Sequence, residues 1–313
     1  MTAGGHQAPH GLVHQALVYE ADGEFLDAAV PFLRSAVTAG QVTLAVVAPR
    51  WIAILEQMLG AAATGVQFID AIAWYRHPVR TIAAYDALIR SQAPRRVCAL
   101  AEPFCRDRSE LETVEWIRYE AVVNAAFGDS GGSAMCAYDR HAVPAGVIAA
   151  ALRTHPEVVD GGPPRPTQGY TDPARVSADC DRVPLPLPRR FDSMPIDSSD
   201  LHGVRRFVAE RATRYGLPNG ELNSLLIAVN EVATNAVKHG TPPMAVRMWA
   251  ENGDVICEVA DCGCWRPSEL LGFLPPASAG AAGFGLWGAR MLTDLVQVRT
   301  TWDGTVVRLR HRL

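Results

Sequence analysis

Two regimes of apolar patterning divide the chain. From Leu12 to Arg153, short apolar runs alternate with longer amphipathic stretches. Leu12–Tyr19, Val42–Ala48, Val66–Ile69, Val97–Ala101 and Ala134–Tyr138 read as strands, and the unbroken apolar run Val42–Ala48 is what a strand covered on both faces requires. Gly23–Ala39 (closed by Gly40), Trp51–Leu59, Pro78–Ser91, Glu110–Phe127 and Ala145–Arg153 read as the intervening helices. Strand and helix in turn predict an α/β domain with a mostly parallel sheet.

After Phe191 the order changes. A helix over Leu201–Tyr215 comes first, then a second helix capped by Asn219 and stopped by Gly240. Strands Ala245–Ala250 and Val255–Ala260 flank Asn252-Gly253, a hairpin signal. A Gly-, Pro- and Ala-rich loop, Trp265–Ala282, precedes a helix from Leu286 to about Leu295, and two last strands flank Asp303-Gly304. This predicts helices layered on an antiparallel sheet, a two-layer α/β sandwich. Between the two halves, Pro163 to Pro195 holds eight prolines behind Gly161-Gly162, which predicts an extended connection. The expected organisation is an N-terminal domain over 11–160, a Pro-rich linker over 161–190 and a C-terminal domain over 191–313.

Composition narrows the function. The chain has 313 residues, 49% hydrophobic and 20% charged, enough for two packed domains. A net charge of −4 with mixed signs gives no basic surface for nucleic acid. No apolar run reaches the length of a membrane span, and the start of the chain lacks a signal-peptide pattern, so a cytoplasmic location is expected. The seven cysteines are scattered and odd in number, as reduced thiols would be; Cys262-x-Cys264 has no second Cys/His pair nearby in sequence.

The chemistry concentrates in three strings: Asn230-Glu231-Val232-Ala233-Thr234-Asn235-Ala236-Val237-Lys238-His239-Gly240, then Ala260-Asp261-Cys262-Gly263, then Gly283-Phe284-Gly285-Leu286-Trp287-Gly288. On a helix Glu231, Asn235 and His239 share one stripe, while Leu222, Leu225, Leu226, Val229, Ala233 and Ala236 face a core. A carboxylate and an amide in that position suit a Mg²⁺-bound triphosphate, because hard Mg²⁺ takes oxygen ligands and few from protein. Taken singly, each residue has a structural reading: a solvated acid, a surface amide, an aspartate at a strand end, a glycine turn. Their order carries the signal.

In that order the strings resemble the ATP-binding domain of the GHKL group, and within it the bacterial anti-sigma-factor serine kinases. The resemblance implies ATP and Mg²⁺ as cofactors. Asn235 would then ligand Mg²⁺ and Glu231 act as catalytic base. Asp261 would accept from the adenine amino group, with Gly263 admitting the base. Gly283 and Gly285 would hinge a lid, and the helix from Leu286 would point free N–H groups at phosphates. It also implies a sigma factor and an anti-sigma-factor antagonist as partners, phosphorylation of a Ser/Thr on the antagonist, and a homodimer. A nucleotide-gated or nucleotide-free scaffold without kinase activity is the alternative. One departure stands out: Trp265 replaces the second glycine of D-x-G-x-G. A histidine kinase is disfavoured, since a Pro-rich linker cannot build its dimerisation hairpin.

The N-terminal half resembles the MEDS sensory domain of bacterial regulators. The likeness rests on the His14 strand, Tyr75-Arg76-His77-Pro78, Ala84-Tyr85-Asp86 and Glu102-Pro103. It continues in Trp116-Ile117-Arg118-Tyr119-Glu120, Asn124, Cys136-Ala137-Tyr138-Asp139 and Thr154-His155-Pro156. It implies a RecA-like fold and sensing of a small molecule or other signal. No G-x-x-x-x-G-K-[ST] string occurs, so no ATP is expected in this half. His14, Glu102, Trp116, Tyr119, Glu120 and Tyr138 are candidates to line a pocket at the sheet's carboxyl edge, against a reading in which they are core and local pairing.

Overall fold

The computed structural model describes residues 11–103, 108–197, 200–265, 270, 272–275 and 284–313. The chain forms two compact units that divide between Val176 and Ser177.

The first unit runs β1 (Val13–Tyr19), α1 (Asp22–Thr38), β2 (Val42–Val47), α2 (Pro49–Leu59), β3 (Val66–Asp70), α3 (Ala71–Trp74), α4 (Pro78–Gln92), β4 (Val97–Ala101), α5 (Glu110–Phe127), β5 (Ser133–Asp139), α6 (Ala145–Thr154), β6 (Glu157–Val159) and β7 (Arg165–Pro166). The sheet order is β3-β2-β4-β5-β1-β6-β7. Every pairing is parallel except that of β6 with β7. The mostly parallel α/β sheet expected from the apolar runs is therefore present. Alternation along β1 and β5 decides what each face holds. Leu17, Tyr19, Met135 and Ala137 join a core with Phe25, Leu33, Trp51 and Leu55 of α1 and α2. His14, Ala16, Cys136 and Tyr138 consequently face the other side, where α5 lies.

Helix α5 starts on a capping box. Glu112 Oε2 accepts from Ser109 N–H at 2.8 Å, and Ser109 Oγ accepts from Glu112 N–H at 3.3 Å. The helix then buries charge as well as apolar surface: Glu115, Arg118 and Glu120 are all buried, with Arg118 Nε 3.2 Å from Glu115 Oε2.

The Pro-rich stretch departs from the extended chain expected of it. Pro173–Asp181 is a helix, α7. Pro173 opens it, where a missing N–H costs nothing, and no proline follows until Pro184.

The second unit continues with β8 (Asp192–Pro195), α8 (Leu201–Arg214), α9 (Asn219–His239), β9 (Ala245–Glu251), β10 (Asp254–Asp261), α10 (Phe284–Leu292), β11 (Leu295–Thr301) and β12 (Gly304–Arg312). The sheet order is β11-β12-β10-β9-β8, antiparallel throughout. On one face Val246, Met248, Val255, Cys257, Val259, Val298, Val307 and Leu309 pack against Val204, Val208, Leu225, Val229, Val232 and Leu286 of the three helices. This is the predicted α/β sandwich. The reverse face buries Trp249, Ile256, Glu258, Gln297, Arg299 and Arg308. The last part of the Pro-rich stretch lies against it: Arg299 Nε donates to Val183 O at 2.7 Å, and Arg308 donates to Leu185 O at 3.2 Å and Pro186 O at 3.3 Å. Among the described residues, no helix is long and apolar enough to cross a membrane.

Candidate nucleotide-binding site

Helix α9 builds the first wall. Pro218, not Asn219, is its N-cap, and Asn219 is the first helical residue. Apolar residues Leu225, Val229, Val232, Ala233 and Ala236 take the buried stripe. That leaves Glu231 half-buried and Asn235 exposed on the opposite side. Neither side chain has a hydrogen-bond partner among the described residues.

Helix α10 begins at Phe284, two residues before the expected start, and packs on α9. A Cβ on Gly285 would stand 2.8 Å from Glu231 Oε2 and 3.4 Å from Asn235 Nδ2, so glycine is what allows the close approach. Leu286 lies in the first turn. Its side chain is buried in the helix-side core, so it offers the site only its backbone N–H, one of the unpaired donors of a helix start. Gly283 and nearly all of the lid expected over Trp265–Ala282 fall outside the described residues.

Strand β10 delivers Asp261 beside the C-terminal end of α9. Its Oδ1 accepts from Gly263 N–H at 2.6 Å and from Thr241 N–H at 3.2 Å. Among the described residues, Oδ2 is left without a partner. Gly240 explains itself here. Its backbone is extended (φ −81°, ψ −179°), so no left-handed turn demands glycine. A Cβ there would instead come 2.7 Å from Asp261 Cγ and 2.5 Å from Ala236 O. The loop after Asp261 is laced to β12: Thr305 Oγ1 donates to Gly263 O at 2.7 Å and accepts from Trp265 N–H at 3.2 Å. Trp265, in place of the expected glycine, packs partly buried against the helix-side core. In the sequence Thr241 is marked only by following Gly240, and Thr305 by nothing local, since the β10–β12 pairing sets it opposite Asp261.

Lys238 on α9 and Arg290 on α10 are the lysine and arginine of these two helices. Arg290 is buried, donates to Val296 O at 3.0 Å and sits 4.2 Å over the Phe273 ring. Lys238 is exposed in the last turn of α9. Cys262 and Cys264 are exposed free thiols.

The first unit gathers some of its candidate residues and separates others. His14, Tyr119 and Glu120 line a cavity of about 60 Å³ together with Tyr75, Tyr85 and Cys136. Glu102 is elsewhere: its Oε2 accepts from Ala48 N–H at the start of α2. Trp116 and Tyr138 are buried core rings in edge contact, centroids 6.3 Å apart.

Comparison with known proteins agrees with both halves. Residues 13–156 match the MEDS family, the methanogen/methylotroph DcmR sensory domain. Residues 194–311 match the histidine kinase-like ATPase domain. No curated protein matches. Among solved structures, the chain is similar to the RsbU and RsbW domains of Rv1364c from Mycobacterium tuberculosis, with 22% identity, a TM-score of 0.31, and coverage of 40% of this chain and 33% of that one. It therefore spans about a third of that relative's length. It is also similar to the histidine kinase domain of the Erythrobacter litoralis EL346 blue-light activated histidine kinase, at 14% identity and a TM-score of 0.26, covering 75% of this chain and 94% of that one. A further structure of the EL346 kinase matches at 14% identity and a TM-score of 0.27, over 67% and 62% of the two chains. The chain thus joins an N-terminal MEDS sensory domain to a C-terminal histidine kinase-like ATPase domain.

Proposed function

We propose that the C-terminal domain binds ATP with Mg²⁺ and transfers the γ-phosphoryl group to a serine or threonine hydroxyl of a partner protein, an anti-sigma-factor antagonist, under control of the N-terminal domain. One observation carries the reading. The three strings meet around the last turns of α9, with Gly285 against Glu231 and Asn235, and Asp261 against Gly240 and Thr241. Asp261 Oδ2 would accept from the adenine amino group. The Asn235 amide oxygen would ligand Mg²⁺, which would supply charge neutralisation at the phosphates. Free N–H groups at the start of α10 would receive the phosphates. Glu231 would take the proton of the attacking hydroxyl. Catalysis here is mostly positioning and charge neutralisation. A sigma factor would be the second partner, held by the same domain, in a cytoplasmic regulator.

The test is calorimetric titration of the full chain with ATP, with and without Mg²⁺, followed by labelled-ATP transfer to candidate antagonists. Wild type, Glu231→Ala and Asn235→Ala are compared. Mg²⁺-dependent binding that Asn235→Ala weakens, with transfer that Glu231→Ala abolishes, supports the kinase. Binding without transfer in the wild type makes the domain a nucleotide-gated scaffold. Affinity indifferent to Mg²⁺ removes Asn235 from its role.

A further inference from the structure

The first unit holds a cluster of buried polar side chains. His14 on β1, Glu120 on α5, Cys136 on β5 and His155 just after α6 are all buried. One ligand-type atom from each lies within 4.8 Å of all the others. We infer that these four residues form a binding site for a d-block divalent cation of the zinc class, using His14 Nε2, His155 Nε2, Cys136 Sγ and a Glu120 carboxylate oxygen. The inference concerns the N-terminal unit alone and is independent of the nucleotide reading.

Geometry supports it first. Metal–ligand bonds of about 2.0–2.3 Å in a tetrahedron separate ligands by roughly 3.3–3.8 Å. Cys136 Sγ is 3.5 Å from His14 Nε2, and Glu120 Oε2 is 3.7 Å from His155 Nε2.

The second argument is the proton inventory. Asn124 Nδ2 donates to Thr154 O at 2.6 Å, which turns its Oδ1 toward His14 Nδ1 at 2.9 Å. His14 must then carry its proton on Nδ1. His155 Nδ1 lies 2.8 Å from Ala151 O, a pure acceptor, so it too is protonated on Nδ1. Both imidazoles therefore bring a bare Nε2 to the same place, the arrangement by which ligand histidines are usually held.

The third argument is what the cluster lacks within the protein. Among the described residues, His155 Nε2 is buried with no hydrogen-bond partner. Two bare imidazole nitrogens face a thiol at 3.5 Å from His14 Nε2 and a carboxyl at 3.7 Å from His155 Nε2, the second too long for a hydrogen bond. They make a good ligand set, because softness suits Zn²⁺ and closely related ions rather than Mg²⁺ or Ca²⁺. The charges also close. Within the ligand set a divalent cation with one thiolate and one carboxylate is neutral, and Arg108 is a further cation that acts on Glu120. The Cys136 S–H bond and the Glu120 O–H bond break on loading, and both protons leave to solvent while metal–sulfur and metal–oxygen bonds form. The cavity lined by His14, Glu120 and Cys136 is the entry path.

The test uses the full chain carrying Cys262→Ser and Cys264→Ser, so that the exposed thiols cannot compete. The protein is stripped with a chelator and titrated with Co²⁺, then with Zn²⁺. One equivalent of Co²⁺ per chain, with a thiolate-to-cobalt charge-transfer band and the intense visible bands of a tetrahedral ion, is expected. Zn²⁺ should displace it. Cys136→Ser should abolish the charge-transfer band, and Asn124→Ala should weaken Co²⁺ affinity roughly 10- to 100-fold while keeping the band. Circular dichroism of each stripped variant checks that it is folded. Folded protein that takes up no Co²⁺, or a charge-transfer band that survives Cys136→Ser, overturns the site.

Discussion

Gly285 and Glu231 are close neighbours across the packing of α10 on α9: a methyl group on Gly285 would sit 2.8 Å from the Glu231 carboxylate. The first move of Gly285→Ala is therefore predictable. The carboxylate is the free end of a flexible side chain, so it swings away rather than strain the helices. The expected stability change is within about 1 kcal/mol, as for substitutions that touch no packed core. The expected loss of phosphoryl transfer is roughly 10- to 100-fold, because the base is displaced from the reacting hydroxyl. Thermal melts and single-turnover transfer rates on the same variant separate the two effects. An unchanged transfer rate would remove Glu231 from its role as base.

Asp261→Asn tests base recognition without breaking the loop. Its remaining amide oxygen can still accept from Gly263 and Thr241 N–H, so the turn after β10 should hold. The partnerless oxygen becomes an NH₂ donor that opposes the adenine amino group. ATP affinity should fall roughly 10- to 100-fold, the cost of leaving polar groups unmatched. Affinity for a 6-oxo purine such as ITP should fall less, because that base presents an acceptor. Parallel titrations with ATP and ITP measure the change, and equal losses for both would sink the assignment.

Much of this was legible in the sequence, and the part that was not has physical reasons. Continuous apolar runs marked β2 and β4 because strands buried on both faces need no alternation. Asn252-Gly253 located the β9–β10 turn, where φ is +53° and +82°. The stripe of α9 separated Leu225 and Val229 from Glu231 and Asn235 by helical period alone. The proline count misled for Pro173–Asp181, since one proline at a helix start does not prevent the helix. His14 and Glu120 were legible as pocket candidates, whereas their relation to Cys136 and His155 was not. Those four residues come from two strands, a helix and a helix end, and nothing in local spacing records a meeting made by sheet order.

The reverse face of the second sheet carries a charge triad that local pattern could not predict. Arg308 Nε and Nη2 donate to Glu258 Oε2 at 3.0 and 2.6 Å, Arg247 Nη1 donates to Glu258 Oε1 at 2.8 Å, and the Arg308 guanidinium lies 4.8 Å over the Trp249 ring. Arg308→Met leaves Glu258 Oε2 without its donors while Arg247 still holds Oε1, so it should cost about 1–3 kcal/mol. Arg308→Met with Glu258→Gln should recover part of that loss, because glutamine carries no buried charge and Arg247, 27% exposed, can turn to solvent. Denaturant unfolding followed by Trp249 fluorescence, in a background with the other tryptophans replaced, reads both variants. A double variant as unstable as the single one would show that the pair acts through its packing and not its charge.

The last prediction concerns Glu102, which its place at the start of α2 makes a pH-dependent element of the first unit. Its carboxylate accepts from Ala48 N–H, and burial raises its pKa above the ordinary 4.5 against the pull of that bond, of Arg50 and Trp51 on α2, and of Tyr19 on β1. A carboxyl whose folded value is raised binds its proton more tightly in the folded state than in the unfolded one. Its contribution to stability is thus complete below pH 4.5 and is lost as pH rises through the folded value. Glu102→Gln keeps an oxygen for Ala48 N–H and cannot ionise. Melting curves of the N-terminal unit from acid to neutral pH should therefore show a shallower decline for Glu102→Gln than for wild type. At neutral pH the variant should melt about 1–4 °C higher, the scale of a sub-kilocalorie to kilocalorie change in a domain of this size. If the two curves run parallel, the Glu102 carboxylate is already compensated by Arg50 and the N–H bond, and burial does not govern its ionisation.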